Sequence, residues 1–261
     1  TRLDRPVMSG LHAMFSLGAG LGAASGYVAS AIGLAPAIHF AGVAAPLAAA
    51  ALWLSAIPWT RPEREPVSGT PILAWPRGAL LLVGVIAFAV SLGEGALADW
   101  GAVFMVSVAG TDEATATLGY ALFSAAMVIM RLLGDRIVAS FGTVPTARAS
   151  CVLAAIGASL AITGGSVAAA LAGFGLMGIG YAVVMPLAFS RAARDADVPP
   201  GVAIASVATL GYGGMLIGPP AIGLLAEVTS LRAAFGLLVV LALAAAAFAG
   251  SLASQPGKPV A

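Results

Sequence analysis

Apolar residues run through this chain in long unbroken stretches, not in the alternation of a half-buried strand or the one-sided stripe of a surface helix. From Arg5 to Arg61 lie 55 consecutive uncharged residues, and from Arg148 to Arg191 another 42. Gaps of 29 and 25 separate Asp197 from Glu227 and Arg232 from Lys258. One helical crossing of a bilayer needs about 20 apolar residues. Each long gap therefore holds two helices and a turn, and each short gap holds one. Gly78–Trp100 and Thr117–Ile137 supply two more. The pattern predicts eight spans, over 9–31, 36–57, 79–101, 116–137, 147–165, 167–189, 201–225 and 231–253. A β-barrel is excluded because its strands alternate. A backbone that must satisfy itself in lipid is then left with helices, so the expected fold is an all-α polytopic membrane protein.

Composition narrows the class. Of 261 residues 60% are hydrophobic and 9% charged, with a mean hydropathy of +1.02. A soluble domain carries about 25% charged residues, so a soluble enzyme is excluded. A net charge of +1 gives no footprint for nucleic acid. The sequence has no phosphate-binding loop, no Ser/His/Asp set and no metal-ligand spacing, so neither catalysis nor a cofactor or metal is expected. Cys151 is the single cysteine and has no internal partner for a disulfide.

The few charges define sidedness. With eight crossings, Arg2, Arg5, Arg61, Arg64, Arg77, Arg131, Arg136, Arg148, Arg191, Arg194 and Lys258 fall on one side, and only Arg232 on the other, beside Asp112, Glu113 and Glu227. The positive-inside rule puts the basic side, and both ends of the chain, in the cytoplasm. The segment 58–77 holds five prolines and reads as a cytoplasmic linker between residues 1–57, with two spans, and residues 78–261, with six. The chain opens on Thr1 without an initiator Met or a signal-peptide pattern, and reads as a piece whose natural start lies upstream. Ser16-Leu17-Gly18-Ala19-Gly20 resembles Thr209-Leu210-Gly211-Tyr212-Gly213, a short repeat of the kind two-halved transporters show. Gly18, Gly22 and Gly26, and again Gly214 and Gly218, recur every fourth residue and are expected to let helices approach closely.

At the turn between the fourth and fifth spans the chain reads Met130-Arg131-Leu132-Leu133-Gly134-Asp135-Arg136-Ile137-Val138-Ala139-Ser140-Phe141-Gly142. This resembles the loop signature of the major facilitator superfamily, although Thr143 and Val144 stand where further basic residues are common. Gly178-Ile179-Gly180-Tyr181-Ala182-Val183-Val184-Met185-Pro186, followed by Gly218-Pro219-Pro220, is similar to its bacterial sugar- and drug-permease-like members. That family has twelve helices in two six-helix halves. The resemblance implies that this chain is helices five to twelve: the last two of the N-terminal half and the whole C-terminal half, with four helices missing. It also implies that the loop bearing Arg131, Gly134, Asp135, Arg136 and Gly142 latches against the other half near Ser9-Gly10-Leu11, the alternative being plain loop charge.

Glu94 is the first candidate for function. It lies 17 positions past Arg77, about 25 Å along a helix, and a charge at that depth usually faces a cavity or a partner. Gly93 and Gly95 flank it, and the apolar run to Ala109 is too long for one straight span, so a break near Gly93–Gly95, a tilt, or an interfacial Trp100 is expected. Glu94 reads as a substrate or proton-coupling carboxylate, or as a structural acid; Asp99 reads as a solvated or capping acid, with a site role as its alternative. By resemblance Tyr181, Tyr212, Ser124 and Thr209 sit on cavity-facing helices, where each serves either a polar solute or helix packing. His12 and His39 are too far apart for one metal site. The expected function is secondary active transport of a small solute, with protons as a candidate co-substrate, by alternating access in a bacterial inner membrane. Its partners would be the solute, the bilayer and the missing helices. The alternatives are a non-transporting scaffold or sensor, or a fragment inactive by itself. A polar cavity at Glu94 would favour transport, and a dry Leu-filled centre the scaffold.

Overall fold

The computed structural model describes residues 8–57 and 75–253. Most of the linker (58–74) lies outside the described residues, as does the His12 side chain. Every element among the described residues is helical. They run as α1 (Met8–Ala31), α2 (Pro36–Ser55), α3 (Ala79–Phe104), α4 (Glu113–Phe141), α5 (Thr143–Thr163), α6 (Val167–Tyr181), α7 (Val184–Ala193), α8 (Pro200–Val228), α9 (Leu231–Ala234) and α10 (Gly236–Phe248). α6 and α7 form one interrupted rod, as do α9 and α10, giving eight rods. Seven of these are long and apolar enough to cross a membrane; α1 is the rod outside that set.

Turn chemistry sets the rod ends. After α3 the chain makes a π-helical turn, Met105–Ala109, and stops at Gly110, whose φ of 79° is open to glycine without strain. Asp112 then caps α4 by accepting from the Thr115 N–H at 2.9 Å. Ser166 and Ser230 do the same for α6 and α9. At the opposite end, Gly142 (φ 85°) is both the last residue of α4's turn and the first of α5's, so the two helices reverse across one residue.

α3 is the centre of the bundle, packed against α8, α10, α7 and α4. Its buried positions run on more than one face, from Leu80 to Phe104. Phe104, Phe174 and Phe235 close one end, with the Phe104 and Phe235 rings 4.4 Å apart. Glycines set the tightest contacts. A Cβ on Gly157 would stand 2.5 Å from the Gly173 carbonyl, and one on Gly173 equally close to the Gly157 carbonyl. Gly214 meets the Phe88 carbonyl and Gly218 the Leu92 carbonyl, so the expected pair does pack α8 onto α3.

Two expectations are corrected here. α3 does not break at Gly93–Gly95 but runs on to Phe104, and the irregularity comes at Met105–Ala109. The two glycines serve close approach instead: Gly93 against the Tyr181 ring, Gly95 against the Met215 carbonyl. The Trp100 indole N–H donates to the Pro219 carbonyl at 2.9 Å, and its ring lies over Gly223. α1 packs on α4, but through Gly20, where an added Cβ would sit 3.1 Å from the Ser124 Cβ. Gly18, Gly22 and Gly26 face open space within this chain, with no atom within 4 Å of an added Cβ. α2 touches α1, where Ser25 Oγ and His39 Nε2 lie 3.1 Å apart, and none of its residues is buried.

Candidate functional site

Glu94 sits past the middle of α3, and across from it on α4 is Arg131. Arg131 Nη2 lies 3.6 Å from Glu94 Oε1. The arginine side chain is 2% exposed and the glutamate 13%, and Glu94 Oε1 itself is buried, so the pair is enclosed in the bundle. This corrects the placement of Arg131 with the loop charges. The residue lies ten positions inside the end of α4, about 15 Å from that end. A cation at such depth is costly and requires partners. Glu94 supplies the charge.

A second partner comes from the rod formed by α6 and α7. Arg131 Nε donates to the Ala182 carbonyl at 3.2 Å. In a continuous helix that carbonyl would accept from the N–H four residues on, but residue 186 is proline and has none to give. The rod breaks at Ala182–Val183 accordingly, and helical bonding resumes with Leu187 N–H donating to the Val183 carbonyl at 3.2 Å.

Three consecutive residues at the break pack against α3 and α4. Tyr181 lays its ring on Gly93, its hydroxyl 2.5 Å from where a Gly93 Cβ would be. Ala182 offers its carbonyl to Arg131. Val183 fits against Gly134, whose added Cβ would stand 2.7 Å from Val183 Cγ1. Tyr181 is 1% exposed, and its hydroxyl, like Glu94 Oε1, has no hydrogen-bond partner among the described residues. The Gly178–Pro186 segment thus has a structural reading. Gly178 meets the Phe123 carbonyl of α4, Gly180 meets Ser150 and Ala154 of α5, and Pro186 releases Ala182.

The other sequence-derived candidates are dispersed. Ser124 is buried at the α1–α4 contact, beside an apolar groove of about 380 Å³ between those helices. Asp99 is exposed on α3, and Tyr212 is 63% exposed on α8. Thr209 gives its hydroxyl to the Ala205 carbonyl of its own helix, at 2.9 Å. Asp135 and Arg136 are exposed in the last two turns of α4, while Gly134 is buried. The roles of Ala182 and Pro186 and the true depth of Arg131 escape a reading by motif. The signal for Arg131 is present, though: Val128-Ile129-Met130 before it and Leu132-Leu133 after it are apolar.

Fold and site define a multi-pass helical membrane protein with an ion pair buried between two of its spans. No family model matches the chain. It is 46% identical, over 89% of its length, to an uncharacterized transporter of Sinorhizobium fredii. It is 38% identical, over 94%, to an uncharacterized MFS-type transporter of Yersinia pestis. Membrane protein MosC of Rhizobium meliloti is 34% identical over 61% of the chain and 39% of its own length. The similarity to proteins named as transporters thus runs along almost all of this chain. It spans 62% and 63% of the length of the first two relatives.

Proposed function

We propose that this chain forms the larger part of a secondary transporter that moves a small solute by alternating access, with Glu94 as a proton-coupling carboxylate. The observation that carries the reading is the Glu94–Arg131 pair, 3.6 Å apart and buried inside the bundle. An ionisable residue within a span is costly and usually serves a pathway. The relatives named as transporters support the same direction.

The architecture proposed with it follows the resemblance. Residues 1–57 would be the last two helices of an N-terminal half, 58–77 the linker, and 78–261 the C-terminal half, with all eight rods crossing a bacterial inner membrane and both chain ends cytoplasmic. α2, with no buried residue, suits a helix whose protein neighbours lie beyond this chain. The Asp135 loop is proposed as a latch between halves, so Asp135→Asn would slow cycling more than it weakens solute affinity.

The test is solute uptake into proteoliposomes holding the protein at its natural length, under an imposed pH gradient. Glu94→Gln is expected to lose proton-driven accumulation while keeping downhill exchange. Undiminished accumulation in that variant overturns the coupling role.

A further inference from the structure

We infer that the α6–α7 break is a positioning device for the ion pair: Pro186, by withholding an N–H from Ala182, presents the carbonyl that fixes Arg131 beside Glu94. The inference draws its functional meaning from the proposed role of Glu94, but its geometry stands apart from transport. Arg131 divides its donors between two elements, Nη2 toward Glu94 of α3 and Nε to the Ala182 carbonyl. Losing the second contact weakens the hold that keeps the guanidinium beside Glu94. The packing around the break serves the same end. Gly134 lets α4 close on Val183, and Gly93 lets α3 close on Tyr181, so a Cβ at either point would push the break away from the pair.

The charged and titratable groups that reach this region are few. Arg131 and Tyr120 come from α4, with Tyr120 within electrostatic reach of Glu94, Arg131 and Asp99. Tyr181 comes from α6, with the buried Cys151 of α5 within its electrostatic reach. α8 contributes Gly211 and Met215, which carry no charge. Arg131 is the only cation among these described groups, and whatever holds it in place sets how closely a positive charge sits beside Glu94. Pro186 and Gly134 carry no charge or side-chain donor of their own. They are positioning residues that act through the Ala182 carbonyl and through Val183.

The probe is a membrane-permeant carbodiimide, which modifies the protonated carboxyl group; labelling of Glu94 is followed by mass spectrometry at neutral pH in membranes holding the natural-length protein. Pro186→Ala returns the N–H, so Ala182 bonds within its helix and Arg131 loses its anchor. A charge-assisted hydrogen bond is worth enough for the Glu94 labelling rate to rise about tenfold. Arg131→Lys, which cannot reach both partners with one ammonium, should raise it comparably. Gly134→Ala should raise it too, and Gly134→Ala with Val183→Ala, which removes the clash, should restore the original rate. Pro46→Ala in α2, a helix-interior proline far from the pair, should change nothing.

Unaltered labelling in Pro186→Ala, in protein whose thermal unfolding is unchanged, overturns the inference whatever the lysine variant does. So does a rise in Pro186→Ala without one in Arg131→Lys, since the arginine would then not be the intermediary. A general loosening would show as lowered thermal stability, with no rescue by Val183→Ala, and counts against it as well. These outcomes are separate from the fate of the transport reading, which rests on Glu94→Gln and uptake.

Discussion

At the residue scale the outcome depends on which neighbour uses a group left over by the helix. Arg131 takes the carbonyl that Pro186 leaves, and Asp112 takes the Thr115 N–H at the start of α4. Asp112 lies outside the spans, and the N–H groups it accepts, Thr115 first, hold its carboxyl below the usual carboxylate range. A depressed folded-state value adds stability above the ordinary carboxylate range, and that stability is lost as pH falls through the depressed one. Thermal unfolding in detergent should therefore show Asp112→Ala less stable than the parent at neutral pH, with the gap closing in acid. Asp112→Asn keeps an acceptor and should lie between them. A gap independent of pH would mean that the carboxylate charge plays no part in the cap.

At the scale of elements, glycine spacing has to be read together with what faces it. Gly157 and Gly173 set α5 against α6, each with the other's carbonyl 2.5 Å from where an added methyl would stand, whereas Gly22 and Gly26 have nothing beside them in this chain. Gly157→Ala should cost about 1–3 kcal/mol by overpacking. Gly22→Ala in this chain should be neutral, or gain up to about 1 kcal/mol from helix propensity. If Gly22→Ala impairs the natural-length protein while this chain tolerates it, the face that α1 exposes is covered by protein beyond the chain. Chemical denaturation of the two polypeptides measures both. The rods are legible in the sequence because hydropathy has a length scale, about 20 residues, that a bilayer imposes. The role of a glycine is not, because flexibility and close approach leave the same letter. Gly93 and Gly95 read as a break and are contact points; Gly20, outside the regular Gly18–Gly22–Gly26 spacing, is the one that meets α4. Arg131 reads as a loop charge because Asp135 and Arg136 follow it closely, although the helix runs on to Phe141.

For the whole molecule, sidedness is the testable property. The turns after α3, α5 and α8 carry Asp112, Ser166 and Ser230 as caps, while Arg77, Arg136, Arg148, Arg191 and Arg194 gather at the other end. The single Cys151 is buried, so the native chain already suits thiol mapping. In intact cells an impermeant maleimide should label Thr229→Cys, and should reach Ala196→Cys only after permeabilisation. The reverse result would invert the proposed orientation.

The buried pair also bears on how the chain is made. Glu94 and Arg131 lie on successive spans, so the two charges can enter the bilayer as one hairpin, each offsetting part of a cost of about 2.5–3.5 kcal/mol for the other. The Ala182 carbonyl stands 51 residues after Arg131 and is synthesised later. The anchor for the arginine is thus made only after the α3–α4 hairpin that carries the pair.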